Sequence, residues 1–356
     1  MRICLITDLH FGVRSDSSAF LDYFERFYEE VFFPYLEEHK IDTIIMLGDT
    51  FDRRKYTNHV TLLRTKRMYF DKIRDGNYDT HVIVGNHDLP WRNTLEGNSV
   101  ELLLAEYKDL HFISEPQELE FDGLKIAMIP WICADNKDET VEFINNTSAP
   151  IAMGHLELAG FAMYKGVPNA HGEDPKLFAN FESVYSGHYH HRSSAGNINY
   201  LGAPLEYTWS DYDDPRGFHV FDTETRQATF VQNPLTMFKK IFYDDSDKTL
   251  DDLLSYDFEQ YRNSVVKIVV KNKNNPYWFD QFIDGLEACS PYDLQVVEDH
   301  LNLDLEEDDE IVSEAEGTLE IFQKFIEQAY MGSANKSQLN TFIGNLYQEA
   351  LSVETV

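Results

Sequence analysis

Three histidines fall within four positions in "SVYSGHYHHRSS", where His188, His190 and His191 follow a short apolar run. Four other apolar runs end the same way. "RICLITDLH" delivers Asp8 and His10, "DTIIMLGDTFD" delivers Asp49, "THVIVGNHD" delivers Asn86, His87 and Asp88, and "PIAMGHLE" delivers His155. Carboxylate, imidazole and amide oxygen without thiolate suit Mn²⁺, Fe²⁺, Mg²⁺ or Zn²⁺ better than a soft metal. Asp8, His10, Asp49, Asn86, His155, His188 and His190 are too many ligands for one ion and suit two that share a carboxylate. Two divalent ions about 3.5–4 Å apart clamp a phosphate for in-line attack, activate water near neutral pH and neutralise the phosphate oxygens.

Spacing supports that chemistry. In Asp8-Leu9-His10 and His188-Tyr189-His190 alternate residues of an extended stretch point the same way, toward one centre. Gly48, Gly85, Gly154 and Gly187 precede or adjoin these residues, and glycine lets a chain turn sharply off a strand with no Cβ in the way. One such cluster alone would read as a turn with a capped histidine. The conjunction of five, each at a strand end, carries the assignment.

The elements that must position them alternate. The apolar runs read as buried strands, and helical patterns span about residues 19–38 and 60–75, so the first two-thirds of the chain is α/β with its polar groups just past strand ends. "FDGLKIAMIP" is a further strand, and "GFHVFDTETRQATFV" a hairpin that closes this region near Pro234. From Met237 the texture changes. "RNSVVKIVVK" reads as a lone strand, and "NPYWFDQFIDGLEACS" as a helix opened by Asn275-Pro276. Glu298 to Glu316 carries ten acidic residues and no Lys or Arg, a solvated linker. Two amphipathic helices close the chain, with apolar positions Leu319, Phe322, Phe325 and Ile326 in the first. Leu339, Phe342, Ile343, Leu346 and Tyr347 form the stripe of the second, with Ser337 as N-cap. A terminal helix pair on an acidic tether either folds back or docks on a partner, and the richly apolar stripe favours a partner. The expected divisions are 1–236, 237–297, the linker 298–317 and the helix pair 318–356.

Composition sets limits on this reading. The chain has 356 residues and a formal charge of −32, which by itself opposes non-specific binding to nucleic acid or an anionic membrane. Cys4, Cys133 and Cys289 are scattered, without metal-ligand spacing, as expected for a reducing cytoplasm. The chain opens directly on a strand-like run, so neither a signal peptide nor a membrane span is expected.

"DLH", "GDTFD", "GNHD", "GH" and "GHYH", in that order, resemble the five signature motifs of the calcineurin-like metallophosphoesterase superfamily over about residues 1–230. Within it the chain resembles the SbcD-type DNA double-strand-break repair nucleases, and especially the branch of recombination nuclease subunits from T-even-like phages. "IPWICADN", "YLGAPLEYTWSD" and "DDPRGFHVFDTET" carry that closer likeness. The resemblance implies a metallophosphoesterase β-sandwich flanked by helices, a small DNA-facing α+β capping domain and a C-terminal helix pair. It implies two divalent ions, Mn²⁺ before Mg²⁺, one on Asp8, His10 and His190, the other on Asn86, His155 and His188, with Asp49 bridging. It implies that His87 is no ligand but steers or protonates the leaving oxygen, with Asp88 orienting it. Read as residues alone, His87 is the usual proton donor near neutral pH, with a buried histidine that holds its loop as the lesser alternative; Asp88 is equally a turn-former, and His191 is exposed and without a role. The implied partners are DNA, a second copy of the chain, with the helices near 19–38 and 60–75 as the contact, and the coiled-coil base of an SbcC-type ABC ATPase gripped by the helix pair. The setting is the cytoplasm, the host's if the chain is phage-encoded. Asp52 stands where many relatives have a histidine linked to the exonuclease step, so the balance of exonuclease and endonuclease activity stays open.

Charge distribution reconciles an acidic chain with a DNA substrate. Arg14, Arg53, Arg54, Lys55, Arg92, Lys165 and Arg192 lie beside the metal clusters, and screening within about 10 Å makes the local charge decisive. The alternative is that these cations pair with surplus carboxylates. The rival activity is a phosphomonoesterase of the same superfamily, since "GDTFDRR" partly matches the phosphatase pattern. Against it, the third cluster ends in Asp88 where phosphatases carry Glu. A non-catalytic subunit is the rival from outside the enzymes, and the intact ligand set opposes it.

Overall fold

The computed structural model describes residues 1–298 apart from positions 92, 165–166 and 169–171. The acidic segment from 299 onward and the helix pair with Leu319, Phe322, Phe325, Ile326, Leu339, Phe342, Ile343, Leu346 and Tyr347 lie outside the described residues, as do Arg92 and Lys165.

Two six-stranded sheets form the larger body. The first strands are β1 (Arg2–Ile6), β2 (Thr43–Met46), β3 (Asp79–Ile83) and β4 (Leu110–Ile113), all parallel. Next come β5 (Gln117–Phe121), β6 (Leu124–Ile129), β7 (Ile151–His155), a small pair β8 (Ala162–Tyr164) and β9 (Val167–Pro168), then β10 (Ser183–Gly187), β11 (Ser193–Ala195) and β12 (Ile198–Tyr200). The hairpin β13 (Gly217–Asp222) and β14 (Gln227–Gln232) returns to the first sheet, antiparallel to β1. The strand orders are β14-β13-β1-β2-β3-β4 and β11-β12-β10-β7-β6-β5.

Period-two alternation joins the sheets. Ile3, Leu5, Ile45, Leu47 and Ile83 point into a core shared with Ile126, Met128, Ile151, Met153 and Tyr185 of the second sheet. Their neighbours Cys4, Ile6, Ile44, Met46 and Val82 point outward under the helices. Because both faces are covered, the runs read as continuously apolar. The α/β sandwich flanked by helices implied by the resemblance is the architecture found.

The expected helices are present, each interrupted by a π turn. Ser18–Phe27, Tyr28–Phe32 and Phe33–His39 make one continuous helix, and His59–Thr65, Lys66–Phe70 and Asp71–Gly76 make the other. Asn58 caps the second by accepting from Val60 N at 2.8 Å. The π turns meet face to face, with the Tyr28 and Tyr69 rings 4.7 Å apart. The first helix buries Phe20, Phe24, Phe27, Tyr28 and Phe32, whereas the second leaves Val60 and Leu63 exposed.

"RNSVVKIVVK" is not a lone strand. As β16 (Val265–Asn272) it runs between β15 (Phe238–Asp244) and β17 (Asp293–Glu298), both parallel to it, with the helix Pro276–Ala288 packed on the sheet. Lys239 and Lys240 break the apolar pattern of β15; their ammonium groups reach back over the rings of Tyr261 and Tyr212 while their stems cover the sheet. Among the described residues no helix is long and apolar enough to cross a membrane.

Buried Glu206 joins this third sheet to the sandwich. It accepts from the amides of Met237 and Phe238 at 2.6 and 2.9 Å, and burial pushes its pKa up to about 7. A carboxyl raised on folding contributes stability that is present in full at low pH and lost as pH rises through its folded value. Glu206→Gln cannot ionise. Its urea midpoint relative to the parent should therefore rise between about pH 5.5 and pH 8; an offset equal at both pH values would contradict this role.

Candidate metal centre

All five loops leave the same ends of the central strands. The loop after β1 continues alongside the loop after β2, with Asp8 N donating to Gly48 O at 3.0 Å and His10 N to Asp49 O at 3.1 Å. Asp88, fully buried, clamps the loops after β2 and β3. Its Oδ2 accepts from Gly85 N (2.9 Å) and Asp49 N (3.0 Å), and its Oδ1 from Thr50 N (2.9 Å). The Asp8 carboxylate accepts from His188 N at 3.1 Å and from Thr7 Oγ1 at 2.9 Å, which ties the loop after β10 to the first. Asp8, His10, Asp49 and His188 all have positive φ. Left-handed backbone costs a non-glycine residue about 1–2 kcal/mol, so these tertiary bonds hold the loops in a conformation the chain alone avoids. Gly48 also has positive φ, and a Cβ there would strike the His155 ring.

Two groups of acceptor atoms converge between the sheets. In one, His10 Nε2 lies 3.0 Å from His190 Nε2, with Asp8 Oδ1 3.9 Å from His190 Nε2. In the other, Asn86 Oδ1 lies 2.9 Å from both His155 Nε2 and His188 Nδ1. Asp49 Oδ2 stands between them, 3.7 Å from His10 Nε2 and 3.2 Å from His155 Nε2. Alternation puts His155 on the inward face of β7 with Ile151 and Met153, so its ring crosses to the first sheet and Nδ1 donates to Leu47 O at 2.7 Å. With that proton committed, Nε2 is the nitrogen that faces the oxygens of Asn86 and Asp49, and the neutral ring would offer its lone pair there to a cation. Acceptors facing acceptors repel unless a proton or a cation lies among them. Separations near 3 Å match adjacent ligands about 2.1 Å from an octahedral ion. The residues fit a pair of divalent ions.

The electrostatics carry the same demand for positive charge. Burial opposes charge on His10, yet Asp52, Asp49 and Asp8 hold its pKa up at about 9. His155 is likewise raised to about 9, burial being outweighed by Asp49 and Asp8. Burial raises Asp8, while His155, His87 and His10 hold Asp49 well below the usual carboxylate range against the same burial.

His87 lies at the rim of this group. Its amide donates to Asp49 Oδ1 at 2.7 Å, its Nδ1 meets Asp52 O at 2.6 Å, and its ring stands edge-on to His10 at 4.8 Å. Burial lowers its pKa, favouring the neutral ring. Asp88, expected to orient His87, holds backbone amides with its carboxylate instead, and the Asp52 carbonyl orients the ring. Buried donors from two loops converge on Asp88, and an unpaired buried amide is costly. His191, expected to be exposed, is half-buried with Nδ1 2.8 Å from Asp214 Oδ2.

The cations beside the clusters have varied partners. Arg14 Nε donates to Tyr207 O at 2.8 Å, Arg53 bonds the Tyr56 hydroxyl and lies 3.8 Å from Asp16, and Lys55 sits over the Trp91 ring at 4.5 Å. Arg192 sits over Phe230 at 3.9 Å, and the charge of Arg54 reaches His87.

A supporting ring was missed by residue chemistry alone. Buried Tyr207 donates to Asp8 O at 2.6 Å, and its ring backs those of His10 and His190 at 5.7 and 5.6 Å. Arg216 donates to the His190 carbonyl, and to Asp211 and Asp214 at 2.7 and 2.8 Å. Trp131 lies 5.2 Å from His188. These residues sit in "YLGAPLEYTWSD", "DDPRG" and "IPWICADN", so the signal lay in stretches that carried only likeness. Arg216→Lys should keep its far-UV circular dichroism and lose about 10-fold in Mn²⁺ affinity by calorimetry, as loss of a group that supports a ligand does. Unchanged affinity would remove Arg216 from the site.

A family model described as calcineurin-like phosphoesterase matches residues 1–196. The chain is 32% identical over 355 residues to exonuclease subunit 1 of Enterobacteria phage T4, covering 98% of this chain and 99% of that protein. It is 24% identical over 308 residues to the SbcD component of the SbcCD nuclease of Staphylococcus epidermidis, covering 78% of each. The region matched by the family model runs from β1 to just beyond His190 and so contains every side chain of the two acceptor groups; the chain belongs to the calcineurin-like phosphoesterase family.

Proposed function

We propose that this chain is a Mn²⁺-dependent DNA nuclease, acting as an exonuclease on double strands and an endonuclease on single strands. It works as the nuclease component of a complex with an SbcC-type ABC ATPase in DNA recombination, repair and replication. The observation that carries this reading is the convergence, from positions 8 to 190, of two acceptor groups that share Asp49. Asp8, His10 and His190 would hold one ion, and Asn86, His155 and His188 the other. The phage and staphylococcal relatives are named as nucleases, which supports DNA as the substrate.

Bound at this centre, two divalent ions would supply polarisation of the scissile phosphodiester and a water of lowered pKa. The chain's residues do the rest. Asp88 and Tyr207 keep the loops at the spacing the ions need. With Nδ1 committed to the Asp52 carbonyl, His87 offers Nε2 to the substrate; a bound phosphate's negative charge favours protonating that nitrogen, which then donates to the leaving oxygen. The Arg14, Arg53, Arg54, Lys55 and Arg192 side chains supply phosphate contacts, and the ATPase supplies most of the affinity that the net charge of −32 withholds.

A second copy docks on the second helix. Val60 and Leu63 are exposed three positions apart on this helix. Exposure of Val60 and Leu63 supports the second helix pattern, of the two helices, as the contact.

His87→Ser should retain two Mn²⁺ per chain and lose about 10²–10⁴-fold in cleavage of duplex and circular single-stranded DNA. Full activity in that variant overturns the role, and preference for p-nitrophenyl phosphate over its bis ester overturns the nuclease reading in favour of a phosphomonoesterase. Val60→Glu with Leu63→Glu should convert a dimer to a monomer in light scattering; an unchanged mass places the contact elsewhere.

A further inference from the structure

The loops that carry the metal ligands also present two aromatic rings to solvent. Tyr56 is 61% and Trp91 57% exposed, whereas Trp131 and Trp209 are buried. Tyr56 lies on the loop that carries Asp49 after β2, and Trp91 on the loop that carries Asn86 and His87 after β3. Asp88 and the His87–Asp52 contact bind these two loops together, so both rings are held in a fixed relation to the centre.

Each ring carries a cation. The Lys55 ammonium stands 4.5 Å from the Trp91 centroid, and the Arg53 guanidinium 4.9 Å from that of Tyr56, whose hydroxyl it also bonds. Lys55, next to Tyr56 in sequence, reaches across from one loop to the ring of the other. A large apolar ring left in water is costly, and here two are left beside a reaction centre on a strongly acidic chain.

We propose that Tyr56 and Trp91, with Arg53 and Lys55, form a stacking platform for an unpaired base of a DNA strand entering the metal centre. The proposal rests on the nuclease reading and deepens it. A base has a π face whatever its identity, so stacking is tolerant of sequence, while cations beside the rings meet the flanking phosphates. Bases inside a duplex have both faces covered by neighbours. Only a frayed end, a gap or a single strand can use such a surface, and an aliphatic peptide would gain nothing from the cations. The platform thus selects, next to the reacting phosphate, the nucleotide that has left the stack.

The test uses the full chain in EDTA, with fluorescence anisotropy of a labelled oligothymidylate and of a strand of the same length made of abasic residues. The parent should bind the base-bearing strand more tightly. Trp91→Ala with Tyr56→Ala should lose that preference by on the order of 5- to 100-fold, the range that base–aromatic stacking spans, with abasic binding unchanged. Trp91→Phe with Tyr56→Phe should restore most of it. A parent that binds both strands equally, or an alanine variant that keeps the preference, overturns the platform. So does an alanine variant that turns monomeric with strand binding intact, since the rings would then serve self-contact. Absence of Mn²⁺-dependent DNA cleavage by the parent would sink the nuclease reading separately, because the anisotropy measurement needs no cleavage.

Discussion

Like groups are forced together at one place in this molecule, and most of the surrounding structure exists to keep them there. The Asp49 and Asp8 carboxylates, four histidine rings and the Asn86 oxygen share a buried volume in which protons cannot satisfy every lone pair. Protons on His10 and His155 relieve part of that repulsion and divalent cations would relieve more, so the fold is strained toward binding positive charge. Positive φ at Asp8, His10, Asp49 and His188 is the backbone expression of the same strain.

Two features oppose it. Parallel strands end together, so every loop enters the same cleft from a rigid base of fully buried residues. A buried ring of polar groups then fixes each loop. Asp88 ties the second and third loops, Asp8 collects the first and last, and Tyr207 and Arg216 brace the chain beneath His10 and His190. Arg216 is anchored by Asp211 and Asp214 in the turn that leads into the hairpin strand β13, the neighbour of β1, so its hold on the His190 carbonyl ties a loop of the second sheet to the first. The site is therefore a property of both sheets at once.

The same hairpin leads into the third sheet. Glu206 comes directly before Tyr207 in sequence, so one dipeptide braces the metal loops with its second residue and grips the start of β15 with its first. Phe238 of that strand packs on Trp209 at 4.9 Å, and Lys267 of β16 lies over the same ring. The smaller sheet is thus attached through the stretch that supports the reaction centre.

Residue types and their order along the chain determined which side chains are candidate ligands, their oxygen-and-nitrogen character, the strand-then-loop rhythm and the two long helices. These are local properties, because apolar alternation and glycine placement reflect neighbours a few positions apart. Tertiary structure alone decided that Asp88 holds amides rather than His87, that the Asp52 carbonyl orients that imidazole, and that Tyr207 and Arg216 stand under the ligands. It also decided that β15 and β17 flank "RNSVVKIVVK", because the lysines of β15 hide its pattern until aromatic rings from elsewhere receive them. The physical reason is common to all of these. A buried polar group must find its partner wherever packing brings one, and residues distant in sequence become neighbours only when the sheets close on each other.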